Sequence, residues 1–190
     1  RTASRCRNTF GDILEVMGDR KKQAAMIEQT SVQLLPLEEN FRDWARDILN
    51  QTWGMPLVVS RGRLHDASKL PGYVAVQGDE PVGLTTYHIV GDECELVTLN
   101  SLRPKLGIGS ALVAAVKEMA INAGCRRLWL ITTNDNTLAI RFYQQRGFRL
   151  AALHIDALKE SRRLKPQIPL VGEDGIPIRD ELEFEIILKS

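Results

Sequence analysis

Apolar positions recur along this chain at two spacings, and each spacing predicts an element. Residues 31–37 form a short apolar run that predicts a strand. Over residues 38–49, Phe41, Trp44, Ala45 and Ile48 then repeat at helical spacing, as a stripe turned to a core. Val58 and Val59 predict a further short strand, whereas residues 60–66 are polar and turn-rich and predict a loop. Three runs follow, at 73–77, 81–90 and 93–99, rich in β-branched and aromatic residues and separated by Gly78-Asp79 and Gly91-Asp92. They predict a three-stranded antiparallel meander.

The second half is more strongly patterned. A helix over residues 107–123 presents Ile108, Leu112, Val116, Met119 and Ala123 on one side, and Gly124 ends it. The apolar run at 127–132 predicts a strand buried on both faces, parallel to its predecessor through a right-handed helical crossover. A short helix beginning near Asn136 ends at Gly147, residues 148–155 resume β character, and residues 156–164 form a charged helix. A loop rich in Pro and Gly spans 166–177. Leu182, Phe184, Ile186 and Leu188 then alternate with Glu181, Glu183, Glu185 and Lys189, which predicts a half-buried closing strand.

Composition narrows the class. A chain of 190 residues, 44% hydrophobic and 26% charged, supports one core, so residues 30–190 are expected to be a single domain behind an extension at 1–29. In that extension Phe10, Ile13, Leu14 and Met17 fall on one helical face, which would dock on the domain or on a second copy. A formal net charge of +1 argues against nucleic acid and anionic membrane as partners. No apolar run reaches the roughly 20 residues of a membrane span, so a small-molecule or peptide ligand and a cytoplasmic location are expected. Cys6, Cys94 and Cys125 are too scattered for a disulfide framework or a zinc site, and Cys94 reads as a buried hydrophobe. His88 lies in the middle strand of the meander with no second ligand at suitable spacing, so no metal is expected.

The chemistry concentrates where a strand turns into a helix. Gly107 and Gly109 stand at that corner, where glycine permits close approach and the first unpaired helical N–H groups attract an anion. A dinucleotide-binding turn does not fit: seven residues, 100–106, separate strand from glycine, and Leu112 stands where the third glycine belongs. A nucleoside-triphosphate loop does not fit either, because Gly109-Ser110-Ala111 lacks the Gly-Lys-Ser/Thr closure.

The corner resembles the pyrophosphate loop of the GNAT superfamily of acyl-CoA-dependent N-acetyltransferases. That loop has Arg or Gln, two residues, Gly, one residue, then Gly or Ala. Gly107 and Gly109 match, while Pro104 takes the first position, between Arg103 and Lys105. A second block, Asn136-x-x-Ala139 followed by Phe142-Tyr143 and Gly147-Phe148, is similar to another of that family's segments. The tail from Arg163 onward resembles an uncharacterised subgroup of the same family. The resemblance implies an α+β GNAT fold: a mixed, mostly antiparallel sheet whose central parallel strand pair splays apart, flanked by helices.

It also implies acetyl-CoA as acyl donor and transfer to a primary amine of a small molecule or peptide by direct attack, in a monomer or homodimer. The residues it implies for the donor are Val97, Thr98 and Leu99 on one strand; Arg103, Lys105, Leu106, Gly107, Ile108, Gly109, Ser110 and Ala111 at the corner; and Asn134, Asn136, Ala139, Phe142 and Tyr143 beyond. An amine must lose a proton, so Glu93 or Glu95, on one side of their strand by alternation, is the expected base. Tyr143 is the expected proton donor to the departing thiolate. Arg61, Arg63, His65 and Asp66, on the segment that would border the acceptor pocket, are candidate substrate contacts or else an ordinary solvated loop. Two alternatives stay open, a non-catalytic acyl-CoA-binding module and an NAD-dependent Rossmann oxidoreductase.

Overall fold

The computed structural model describes residues 31–172 and 174–188; the amphipathic face at Phe10 to Met17 and the extension at 1–29 lie outside them. The first strand, β1 (Val32–Pro36), leads into α1 (Glu39–Trp53), which ends at Gly54 in a left-handed turn. A hairpin follows, β2 (Leu57–Ser60) and β3 (Arg63–Asp66), and then the expected meander of β4 (Gly72–Gln77), β5 (Glu80–Val90) and β6 (Glu93–Ser101). Next come α2 (Ile108–Asn122), β7 (Arg127–Thr133), α3 (Thr137–Gln144), β8 (Arg149–His154), α4 (Ala157–Leu164) and β9 (Glu181–Ile187).

Seven strands form one sheet in the order β1-β4-β5-β6-β7-β9-β8, and β6–β7 is its parallel pair. Every other neighbouring pair in it is antiparallel. Helix α2 buries Ile108, Leu112, Val113, Val116 and Ala120, packing against Cys94, Leu96, Ala75, Val82, Leu128 and Leu130. On the opposite face, α1 places Ala45, Ile48 and Leu49 against Val74, Val76 and Leu84. Neighbouring strand residues such as Val74 and Ala75 thus serve different helices, as period-two alternation requires.

Four expectations differ from the structure. The predicted loop at 60–66 is a hairpin, because Arg61 (φ 49°) and Gly62 (φ 71°) both take the left-handed conformation of a two-residue turn that matches strand twist. In α2, Val113 and Ala120 are buried while Met119 is half-buried and Ala123 exposed, so the core stripe is rotated from the expected one. Strand β7 buries only Leu128, Leu130 and Thr132; its other face is half-covered.

In β9 the apolar face packs on the core through Leu182, Phe184 and Ile186, but the charged face is covered as well. Glu181, Glu183 and Glu185 are 1%, 4% and 9% exposed, and only Phe184 among the alternating apolar residues within the strand is fully buried. Cations and donors surround the carboxylates. Arg127 binds both Glu183 and Glu185, Arg149 binds Glu185 at 2.8 Å, His154 meets Glu183 at 2.8 Å, and Ser161 donates to Glu181 at 2.9 Å. Burial works against the charge of Glu183 and Glu185, but these hydrogen bonds outweigh it, and both carboxyls sit below the usual range.

Candidate functional site

The sheet opens at its centre. Pairing between β6 and β7 stops after Glu95↔Trp129, although β6 runs on to Ser101 and β7 to Thr133. On the other side of β6, Leu96 pairs with Tyr87 and Thr98 with Thr86, so Val97 is an extra residue with no partner in either ladder. Such a bulge bends a strand and re-aims its side chains. Glu93 and Glu95 therefore face away from α2, whereas beyond the bulge Leu99 comes within reach of Gly109. Thr98 is fixed by a hydroxyl contact with Thr86 at 2.7 Å, and its carbonyl accepts from Thr85 at 2.8 Å.

The glycine corner lies at the end of β6. Gly107 is left-handed (φ 77°) just before α2, and a side chain there would meet nothing within 4 Å. Ala111 N–H bonds back to Gly107 at 3.0 Å, which leaves the N–H groups of Ile108, Gly109 and Ser110 without helical partners. At Gly109 a Cβ would lie 3.2 Å from the Phe142 ring, so glycine lets the first turn press against α3.

Charge around the corner is arranged differently from expectation. Arg103 is bound to Glu80 and to Gln77, while Lys105 is exposed with a positive φ of 67°. Leu106 is exposed as well. The guanidinium that does reach the first turn of α2 belongs to Arg146, whose Nε and Nη2 donate to Ser110 Oγ at 3.0 and 2.5 Å. Its Nη1 donates to the Phe142 carbonyl at 2.7 Å, and the group stacks 3.4 Å over the Phe142 ring. No motif pointed to Arg146; a cation one residue before the helix-ending glycine was the available signal.

Two cavities, each of about 400 Å³, flank the β2–β3 hairpin. One is largely apolar and spans the opened strands, with Val58, Val59, Val97, Ile131 and Ile178 among its walls and Asn136 at its edge. Asn136 Oδ1 also caps α3 by accepting from Ala139 N–H at 3.1 Å. Asn134 faces elsewhere: it donates to Pro177 and accepts from Arg179 and Asp180 N–H groups, tying the end of β7 to the tail. Lys165, buried in this cavity's wall, donates to the carbonyls of Trp53 and Leu57 at 2.9 Å, and burial lowers its pKa.

The other cavity is lined by Glu93, Glu95, His88, Arg61, Arg63 and Trp129, among others. Glu95 is 4% exposed and His65 5%; His65 Nε2 comes to 3.4 Å from Glu95 Oε2 yet makes no hydrogen bond. Glu93, by contrast, is half-buried and ion-paired with Arg127 at 3.2 Å. The His65 ring meets His88 edge-on at 5.2 Å, and His88 lies directly across from Glu95 in the β5–β6 register. Sequence spacing offers His88 no companion, whereas the fold brings it two. The three potential ligand atoms lie within 4.8 Å of one another. Asp66 stands apart: it accepts from Ser68 N–H and pairs with Lys69 outside the cavity.

Tyr143 is 8% exposed, between the rings of Phe142 (5.2 Å) and Phe148 (5.4 Å). Burial pushes its pKa up, so the phenol stays protonated. Cys94 is fully buried and its thiol is pushed up to about 12 by desolvation, as suits a core residue rather than a nucleophile.

Comparison with known proteins adds the following. A family model described as "Acetyltransferase (GNAT) family" matches residues 38–148. The uncharacterized protein YdhI of Bacillus subtilis (strain 168) is 41% identical over 156 residues, 82% of this chain and 98% of that protein. Among solved structures, a Bacillus subtilis acetyltransferase in complex with CoA is similar with a TM-score of 0.61 at 22% identity, over 84% of this chain and 100% of that one. A GNAT acetyltransferase from Elizabethkingia anophelis with acetyl-CoA bound gives 0.60 at 18% identity, over 83% of this chain and 98% of that one.

Proposed function

The chain belongs to the acetyltransferase (GNAT) family, and from that premise we propose that it transfers the acetyl group of acetyl-CoA to a primary amine by direct attack. The observation that carries this reading is the unpaired stretch after Glu95↔Trp129, with the bulge at Val97 beside it. Strand groups left without a ladder need other partners, and the amides of a pantetheine arm can supply them. The N–H groups of Ile108, Gly109 and Ser110 are suited to receive the diphosphate, with Arg146 supplying the positive charge that Pro104 cannot.

Glu95 takes the proton from the amine as its nitrogen bonds the thioester carbon. Val97 N–H stabilises the oxygen that gains charge at that carbon. As the carbon–sulfur bond breaks, Tyr143 returns a proton to the sulfur, giving the amide and free CoA; solvent then resets both groups. Glu95 is preferred to Glu93 because it is buried beside the bulge without a permanent cation, whereas Glu93 is held by Arg127.

Thiol release from acetyl-CoA against a panel of amines tests this directly. Glu95→Gln is expected to lower kcat by about 10²-fold or more, the range of a general base, and Glu93→Gln by far less. CoA binding without turnover on any amine would leave only a binding module.

A further inference from the structure

The acid-lined cavity holds five charged side chains: Arg61, Arg63, Asp92, Glu93 and Glu95. Partners outside the cavity lining neutralise three of them. Asp92 is bound by Arg126, Glu93 by Arg127 at 3.2 Å, and Arg61 approaches Glu183 at 3.6 Å while lying 5.3 Å over the Trp129 ring. Two charges remain. Glu95 is buried in the cavity wall with His65 at 3.4 Å and His88 within 4.8 Å, and the exposed guanidinium of Arg63 has no ion pair or hydrogen bond to any described residue.

Arg63 and His65 are two residues apart on β3, hence on one face of it, and His65 is the residue that meets Glu95. The Arg63 guanidinium therefore stands on the side of the hairpin that covers Glu95, further toward the solvent. The buried carboxylate of Glu95 and the outer guanidinium of Arg63 thus offer opposite charges at two depths of a cavity whose wall also includes Val90 and Trp129.

We propose that the acceptor is an amine that also carries a carboxylate, a free amino acid being the simplest case, with its nitrogen at Glu95 and its carboxylate on the Arg63 fork. This rests on the transferase reading above and adds the substrate class to it. A guanidinium presents paired N–H donors that match a carboxylate. A simple monoamine answers only the inner charge and leaves the outer one unmatched, a diamine places like charges together at Arg63, and a peptide N-terminus has no carboxylate beside its nitrogen. The cavity, at about 400 Å³, has room for a single amino acid with its side chain.

The test pairs each amino acid with the amine that lacks only its carboxylate: leucine with 3-methylbutylamine, phenylalanine with phenethylamine, glycine with methylamine. With wild-type protein and acetyl-CoA, the best acceptor is expected to be an amino acid, exceeding its partner amine in kcat/KM by about tenfold, the scale of a charge-assisted contact. In Arg63→Ala that ratio is expected to fall to about two or less, and in Arg63→Lys to an intermediate value, with the Michaelis constant for acetyl-CoA unchanged in both. An amine or a peptide N-terminus that matches or exceeds every amino acid, or a ratio that Arg63→Ala leaves in place, overturns the assignment. Calorimetric titration of the same pairs into the CoA-loaded protein reads the preference without turnover. Selective amino-acid binding with no thiol release would sink the transfer reading, and the acceptor role with it, and keep only an amino-acid site at Arg63, whereas release with no preference would keep transfer and overturn the amino-acid assignment.

Discussion

Single residues here derive their roles from burial and partners more than from type. Glu93 and Glu95 are chemically alike and two positions apart. One is held by Arg127, and the other is enclosed beside His65 and the Val97 bulge. Tyr143 shows the same dependence: burial keeps its phenol protonated, the state a proton donor needs. Tyr143→Phe is expected to lower kcat by about tenfold or more while leaving CoA affinity nearly unchanged, since the ring packing with Phe142 and Phe148 survives the loss of one oxygen. Stopped-flow thiol release alongside calorimetric CoA titration separates the two effects.

At the scale of elements, the corner between β6 and α2 depends on backbone freedom. Gly107 has a φ of 77°, which a side chain tolerates poorly even where space is open. Gly107→Ala is expected to destabilise the fold by about 1 kcal/mol, seen as a lower urea midpoint at unchanged slope. At Gly109 the obstacle is contact, because the Phe142 ring lies 3.2 Å from a new Cβ. Gly109→Val is expected to push α3 from the first turn of α2, disturb the Arg146–Ser110 contact and weaken CoA binding by about tenfold or more, readable by titration. The β2–β3 hairpin is tethered as an element too: Arg61 N–H donates to Glu181 at 3.1 Å and its guanidinium lies over Trp129.

Across the whole molecule, the buried acidic stripe of β9 joins β7, β8, the hairpin and α4 into one charged network. Arg127 is its centre, with burial opposing its charge and Glu183 and Glu185 more than restoring it. Removing that cation would leave carboxylates buried without their main partner. Arg127→Met is expected to destabilise the protein by about 3 kcal/mol or more by chemical denaturation.

The network also sets an acid limit. Glu183 and Glu185 have folded-state pKa values below their ordinary 4.5, so they bind protons more readily when unfolded. Their stabilising contribution is fully present above that value and is lost as pH falls through the folded-state values. The urea midpoint is expected to decline below about pH 4.5, and Glu183→Gln should flatten that decline.

Local order decided what was legible along the chain. The periodic stripe of α1, the Gly-Asp turns of the meander, the crossover through α2 and the glycine corner all depend on residues a few positions apart, so their order in the chain determined them. Tertiary structure decided the rest, because the deciding contacts join distant segments. Arg146 reaches Ser110 across 36 positions, and Arg61 reaches Glu181 across 120. Alternation in β9 located its two faces and the apolar one packs on the core, but that the charged face is covered too depended on where Arg127, Arg149 and Ser161 would arrive. Likewise, Glu95 became the enclosed carboxylate only when β3 folded across β6. An element's period follows from its own residues; a charge's environment follows from what the rest of the chain packs against it.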